Sequence, residues 1–210
     1  RVAMLYSRST EYWNPAATFP DKRASFLGLS HEYFQPELVT EEQVAAGDLD
    51  HYDALYVLET HVSRAASDRI LSWTKQGGLL WTCADSFLRD EYDAPKDFLA
   101  EHFGLKRAFA ENPANPSVLP ADGISSLVTV HKVKIAKPLR ALAWEEAQVL
   151  ATYEEEAPAW LEKDFHDGRV VYLGHRAGLD YTRKAIRLGG MRTIWPDYPR
   201  AFLTRPLHQR

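Results

Sequence analysis

The only cysteine of this 210-residue chain is Cys83, in the stretch GGLLWTCADS at 77–86. A Gly-Gly turn leads into an apolar run, and the thiol falls where a strand should end. A nucleophile can sit at such a place if the chain turns sharply there. The turn demands small residues two positions before and after, because the following helix packs closely behind it. Trp81 and Asp85 hold those positions. The sequence therefore puts a thiol at a suitable strand end and crowds it, and the competing reading is a buried structural cysteine.

Two further sets of residues could do chemistry. A metal site can be drawn from Glu59, His61, Cys83, Asp85 and His175, each near the carboxyl end of an expected strand. None shows the tight ligand spacing of His-x-x-x-His or Cys-x-x-Cys, so hydrogen-bonded loop residues are the expectation, with no metal and no cofactor. The other set is aromatic and polar. Tyr12, Trp13, Trp81 and Phe87 offer ring surface, and Arg8, Asp85, Asp90 and Glu91 offer polar groups. Aromatics at loop tips stack on sugars; Trp, Tyr and Arg equally anchor protein interfaces. Arg8, Tyr12, Trp13, Glu59, His61 and Asp85 are accordingly the candidates for a ligand-binding edge. The acidic runs EEQ (41–43) and YEEEAP (153–158) read as a solvated helix start and a hairpin turn.

These residues need a scaffold, and periodicity supplies one. VAMLYS (2–7), DALYVLE (53–59) and LLWTC (79–83) are short apolar runs of the kind buried on both faces of a parallel sheet. Between them lie helix signals at 21–34, with Ala24, Leu27 and Phe34 on one side, and at Arg64–Gln76. Ser63 caps the second helix and Gly77–Gly78 stops it. Residues 7–20, with two prolines, read as a loop. PELVT (36–40) reads as a strand, EEQVAAG as a helical turn and 94–104 as another helix. Beyond the Pro/Asn loop at 111–123 the pattern changes to short segments at 126–135, 147–155, 157–165 and 168–174, spaced like antiparallel strands. DYTRKAIRLGG (180–190) reads as a closing helix. The expected fold is α/β: a flavodoxin-like, doubly wound, mostly parallel sheet with an antiparallel β excursion in the second half. The expected division is one domain over 1–190, with 191–210 a tail or the start of a following segment.

Composition narrows the function. Hydrophobic residues make up 45% and charged residues 26%, an ordinary globular balance. A net charge of −4 argues against nucleic acid as partner. A single cysteine excludes an internal disulfide. No apolar run approaches the ~18–20 residues of a membrane helix. The chain opens on a strand-like segment with no targeting segment, both ends read as cut, and the compartment stays open.

The motifs YDALYVLETHVS and SWTKQGGLLWTCADS, followed by AQVLATY, Pro158–Ala159 and GRVVYLG, carry a resemblance. Their order resembles the class I glutamine amidotransferase-like fold, and most closely the middle domain of family 42 β-galactosidases. The opening VAMLYSRSTEYW is similar to the start of that domain. The resemblance covers most of residues 1–188. It implies an accessory domain of a glycoside-hydrolase-like protein that forms a homo-oligomer, a trimer in that family, or packs on neighbouring domains. No catalytic barrel is present, so the glycosidase carboxylates have no counterpart. The resemblance also puts Cys83 where amidotransferases keep their nucleophile and His175 near the place of their base. Yet the late strand ends YLGHRAGLD without Pro-Glu, and the loop ETHVSRAAS lacks the glycines and prolines of an oxyanion loop. The resulting expectation is a chain that is not an enzyme by itself. A divergent hydrolase using Cys83 and His175, and a carbohydrate- or small-ligand-binding module, are the alternatives.

Overall fold

The computed structural model describes residues 1–109, 118–120, 139–153, 158–183, 185–187, 193–195 and 197–209. Strand β1 (Val2–Tyr6) is followed by α1 (Arg8–Trp13) and α2 (Pro15–Ser30). The segment 7–20, expected as a loop, is helical. The Ser7 hydroxyl accepts from the Thr10 amide to start α1, and Pro15 opens α2 at a position where its missing N–H costs nothing. Strand β2 (Glu37–Thr40) feeds α3 (Glu41–Ala46) through a reciprocal Thr40–Gln43 cap. Then come β3 (Ala54–Val57), α4 (Arg64–Lys75) capped by Ser63, and β4 (Leu79–Cys83). Gly77, at φ 113°, makes the left-handed turn from α4 towards β4 that a side chain would strain.

After α5 (Phe98–Phe103) the chain makes its antiparallel excursion. It consists of β5 (Lys106–Phe109), β6 (Val118–Pro120), β7 (Leu139–Ala143), β8 (Gln148–Tyr153) and β9 (Pro158–Phe165). Strand β10 (Gly168–Leu173) returns to the sheet. The eight-stranded sheet has the order β2-β1-β3-β4-β10-β9-β8-β6. Its first five strands are parallel and the last three antiparallel. The parallel part has the 2-1-3-4-5 order of a flavodoxin-like fold, as expected. The strand expected at 126–135 lies outside the described residues, and of the loop at 111–123 only 118–120 is described.

Strand alternation divides the core into two layers. Met4, Tyr56, Trp81, Cys83, Trp160 and Leu173 face one way, towards Leu29 of α2. Leu5, Val57, Leu80 and Tyr172 face the other, towards α3, α4 and α5. Burial on both faces explains why these strands are continuous apolar runs rather than alternating ones.

The closing helix, expected at 180–190, is α6 (Ala177–Arg183). It starts earlier, with Gly178 in its first turn packed against α2 so tightly that a Cβ there would meet the Ser25 amide nitrogen at 2.5 Å. Two short strands, β11 (Ile186–Arg187) and β12 (Thr193–Ile194), form a ribbon, and α7 (Asp197–His208) follows. Within the stretch expected as a tail or the start of a following segment, Phe202 and Leu203 of α7 are buried in the first core layer. The Phe202 carbonyl accepts the Trp81 indole N–H at 3.1 Å, and the Leu203 carbonyl accepts the Tyr56 hydroxyl. Among the described residues no helix is long and apolar enough to cross a membrane.

Candidate functional site

All the parallel strands end on one edge, and every candidate residue lies along it. The edge has two stretches of different character.

At the ends of β4 and β10 sits Cys83, with no exposed surface. Burial drives its thiol well above the usual cysteine range, and the Asp21 charge adds to the effect. A thiolate, the reactive form, is thereby disfavoured. The backbone around it is already committed. The Cys83 amide donates to the Ser86 hydroxyl at 3.2 Å, and that hydroxyl lies 2.6 Å from the Cys83 carbonyl and 2.7 Å from that of Val57. The Ala84 amide, which an oxyanion hole would need free, donates to the Leu173 carbonyl at 2.7 Å. Trp81, read as edge surface from the sequence, is instead fully buried and stacked on Tyr56 at 5.1 Å. Phe87 is also core, stacked on Phe98 at 4.7 Å. Trp81 belongs to the apolar run of β4, and Phe87 is turned into the second core layer from the loop that follows it.

His175 makes no hydrogen bond with Cys83. Its Nε2 lies 3.5 Å from Asp180, its Nδ1 has no hydrogen-bond partner, and burial pushes its pKa down to about 3. A neutral buried ring has the protonation state of a base, but its ring nitrogens are not engaged with the thiol. Asp85 is held by Arg176, which also lies 3.8 Å from Asp21. Asp21 is fully buried, and desolvation raises its pKa to about 6. The loop from 84 to 97 is pinned over the edge. Arg107 donates to the carbonyls of Ala84 at 3.0 Å and Ser86 at 2.8 Å, and pairs with Asp97. Within the loop Ala84, Phe87 and Asp93 take left-handed backbone conformations, strain that only such anchoring sustains.

At the ends of β1, β2 and β3 the edge is open. Beneath it, Glu59 is buried against Lys22 at 2.7 Å and accepts the Ser7 amide at 3.3 Å. His61 pairs through Nε2 with Asp93 at 2.8 Å, and its carbonyl accepts the hydroxyls of Ser7 and Thr10. Both residues are thus structural supports rather than exposed ligands. Glu41, expected in a solvated helix start, is buried. Its carboxylate accepts from the Ser7 hydroxyl at 3.1 Å, the Ser9 amide at 3.3 Å and the Ser63 amide. Above this floor Arg8, Tyr12 and Trp13 line a concavity of 540 Å³ together with Glu42 and Glu91. Tyr12 and Trp13 are 79% and 46% exposed, with rings at 87° and centroids 5.1 Å apart. The Trp13 indole donates to the Glu91 carbonyl at 3.0 Å, and Arg8 pairs with Glu42 at 3.1 Å.

The candidates therefore separate. Arg8, Tyr12 and Trp13 come together in one opening; Glu59 and His61 lie beneath it; Cys83, Asp85 and His175 belong to the closed stretch. The five residues considered for a metal do not converge: among the described residues no group of three or more His, Cys, Asp or Glu is placed to hold an ion. Sequence reasoning missed Lys22, Asp21, Arg176 and Glu41, which carry the buried charge of this edge. Their only signal was a charged residue inside an apolar helix or at a helix start, a pattern that solvated residues share.

No family model matches the chain, and no curated protein does. Solved structures do. A β-galactosidase from Bacillus circulans sp. alkalophilus aligns at 17% identity and TM-score 0.71, over 99% of this chain and 31% of its own. An exo-β-1,4-mannosidase from Opitutaceae bacterium strain TAV5 aligns at 16% and 0.65, over 88% and 32%. A cytoplasmic protein from Salmonella typhimurium LT2 aligns at 16% and 0.66, over 89% of this chain and 86% of its own. Family 42 β-galactosidases are among the others. At these identities the likeness establishes the fold, and the chain spans about a third of the glycosidases' length.

Proposed function

We propose that this chain is a non-catalytic accessory domain of a glycoside-hydrolase-like protein, of the class I amidotransferase-like type, working through contacts with further copies of itself or with neighbouring domains. One observation carries the reading. The chain matches a glycosidase portion from end to end, while the strand end where an amidotransferase nucleophile would stand is closed. Cys83 is buried, its neighbouring amides are spent, and His175 faces Asp180.

The outward side of α2 supports the contact role. Phe19 and Phe26 are 52% and 38% exposed on a helix whose inner side is already in the core, and the groove beside them, of 760 Å³, is lined by Leu27, Leu179 and Trp195. A helix that is apolar on both sides is normally covered on both. A homo-oligomer, a trimer by the resemblance, would cover it. Light scattering coupled to gel filtration tests this: the chain is expected to run as an oligomer, and Phe19→Asp with Phe26→Asp to shift it towards monomer. Glutaminase turnover abolished by Cys83→Ser would overturn the non-catalytic reading.

A further inference from the structure

We propose that the open concavity at the ends of β1, β2 and β3 is a binding site for a neutral saccharide ring. This is independent of the accessory-domain reading, whose contact face is on α2. The position is the first reason. In the 2-1-3 strand order the chain leaves β1 on one side of the sheet and returns on the other, so the loops diverge and leave a crevice at the carboxyl ends, where α/β proteins bind ligands.

Rigidity is the second. Two separate segments, at Ser7 and Ser9 and at Ser63, contribute donors to the Glu41 carboxylate, so the floor is fixed before anything binds. Trp13 is held by its indole hydrogen bond to the Glu91 carbonyl, which satisfies its one donor and leaves ring surface exposed. Tyr12 stands at a right angle to it. Fixed, solvent-exposed aromatic surface in a concavity of 540 Å³ falls within the ~300–1,000 Å³ range of small-ligand sites.

The charge pattern selects the ligand class. One cation, Arg8, faces three carboxylates, Glu41, Glu42 and Glu91, which disfavours phosphate and other anions. The carboxylates are also already engaged, which disfavours a cation: Glu41 accepts from Ser7, Ser9 and Ser63, Glu42 is paired with Arg8, and one Glu91 oxygen accepts the Arg64 amide at 2.9 Å. A pyranose needs neither: its C–H face covers an aromatic ring, and its hydroxyls bridge the Arg8–Glu42 pair without displacing it.

The test titrates galactose, glucose, mannose, lactose and cellobiose, with arginine methyl ester as the cationic arm, into the 210-residue chain. Tryptophan fluorescence and saturation-transfer NMR are read together. At least one saccharide is expected to bind at millimolar concentration. Trp13→Ala should weaken it by about tenfold or more, Trp13→Phe less, and Cys83→Ala not at all. Thermal melting of each variant confirms folding. No binding by any saccharide, binding indifferent to both Trp13→Ala and Tyr12→Ala, or binding of arginine methyl ester in place of sugars would each overturn the proposal. An oligomer that binds no sugar removes this inference alone; a sugar-binding monomer removes only the oligomer reading.

Discussion

Along one sheet edge, the stretch at β4 and β10 is closed and the stretch at β1, β2 and β3 is open, although both stand at carboxyl ends of parallel strands. The covering groups make the difference. Over Cys83 lie Ala84 and Ser86, whose carbonyls Arg107 holds, the Asp85–Arg176 pair and the Tyr172 hydroxyl, which donates to the Ala84 carbonyl at 3.2 Å. Over Glu41 lies a shallow opening rimmed by Tyr12 and Trp13. Position at a strand end is necessary for a site in this fold, and access decides which strand end becomes one.

The largest expected effect tests the closed stretch. Trp81→Ala removes a fully buried ring that stacks on Tyr56 and donates to α7. It should cost about 3–5 kcal/mol in urea denaturation. A cost below about 1 kcal/mol would mean that this stretch is not packed as described, and the contrast would fail.

A pH series sharpens the same contrast through Asp21 and His175. For Asp21, raised to about 6 by burial, the folded state holds the proton more tightly than the unfolded chain, so stability falls as pH rises from about 4 through 6. For His175, lowered to about 3 by burial, the unfolded chain binds the proton more tightly, so stability is lost as pH drops from about 6.5 towards 3. Between about pH 4 and 6 the two slopes offset one another. Asp21→Asn should therefore be more stable than the parent by up to about 3 kcal/mol at pH 7. The gain should vanish near pH 4 and uncover a continuous acid slope. Urea midpoints across pH check this, and equal midpoints at pH 7 would show that Asp21 is not desolvated.

Two smaller effects complete the comparison. Cys83→Ala should cost about 1 kcal/mol, and iodoacetamide should label Cys83 in the folded chain far more slowly than in urea. Mass spectrometry reads the labelling, and rapid modification of the folded chain would reopen the closed stretch. Trp13→Ala, on the open stretch, should change stability by less than about 0.5 kcal/mol, because its ring is half exposed. A larger loss would make Trp13 part of the core and remove it from any site.

The scaffold was legible wherever burial on both faces produced continuous apolar runs. LLWTC is strand β4 residue for residue, and DALYVLE and GRVVYLG contain β3 and β10. Segment 7–20 was misread because two prolines usually mark a loop, whereas here one of them opens a helix. Among the site residues, Arg8, Tyr12 and Trp13 were legible as neighbours in one short stretch. Trp81 and Phe87 were not separable from them by type, since an exposed and a buried aromatic look alike in sequence.

What the sequence determined by itself is the succession of strands and helices, the turn at Gly77–Gly78 and the crowding of Cys83 by Trp81. These are local effects of side-chain period, backbone freedom and volume. What only the tertiary structure decided is access. Arg107 and Arg176 reach the loop after β4 from 21 and 91 residues further along the chain, and α7 delivers the carbonyl that holds Trp81 from 121 residues away. No local pattern encodes a cover assembled at such separations, because it exists only once the sheet has brought those segments together.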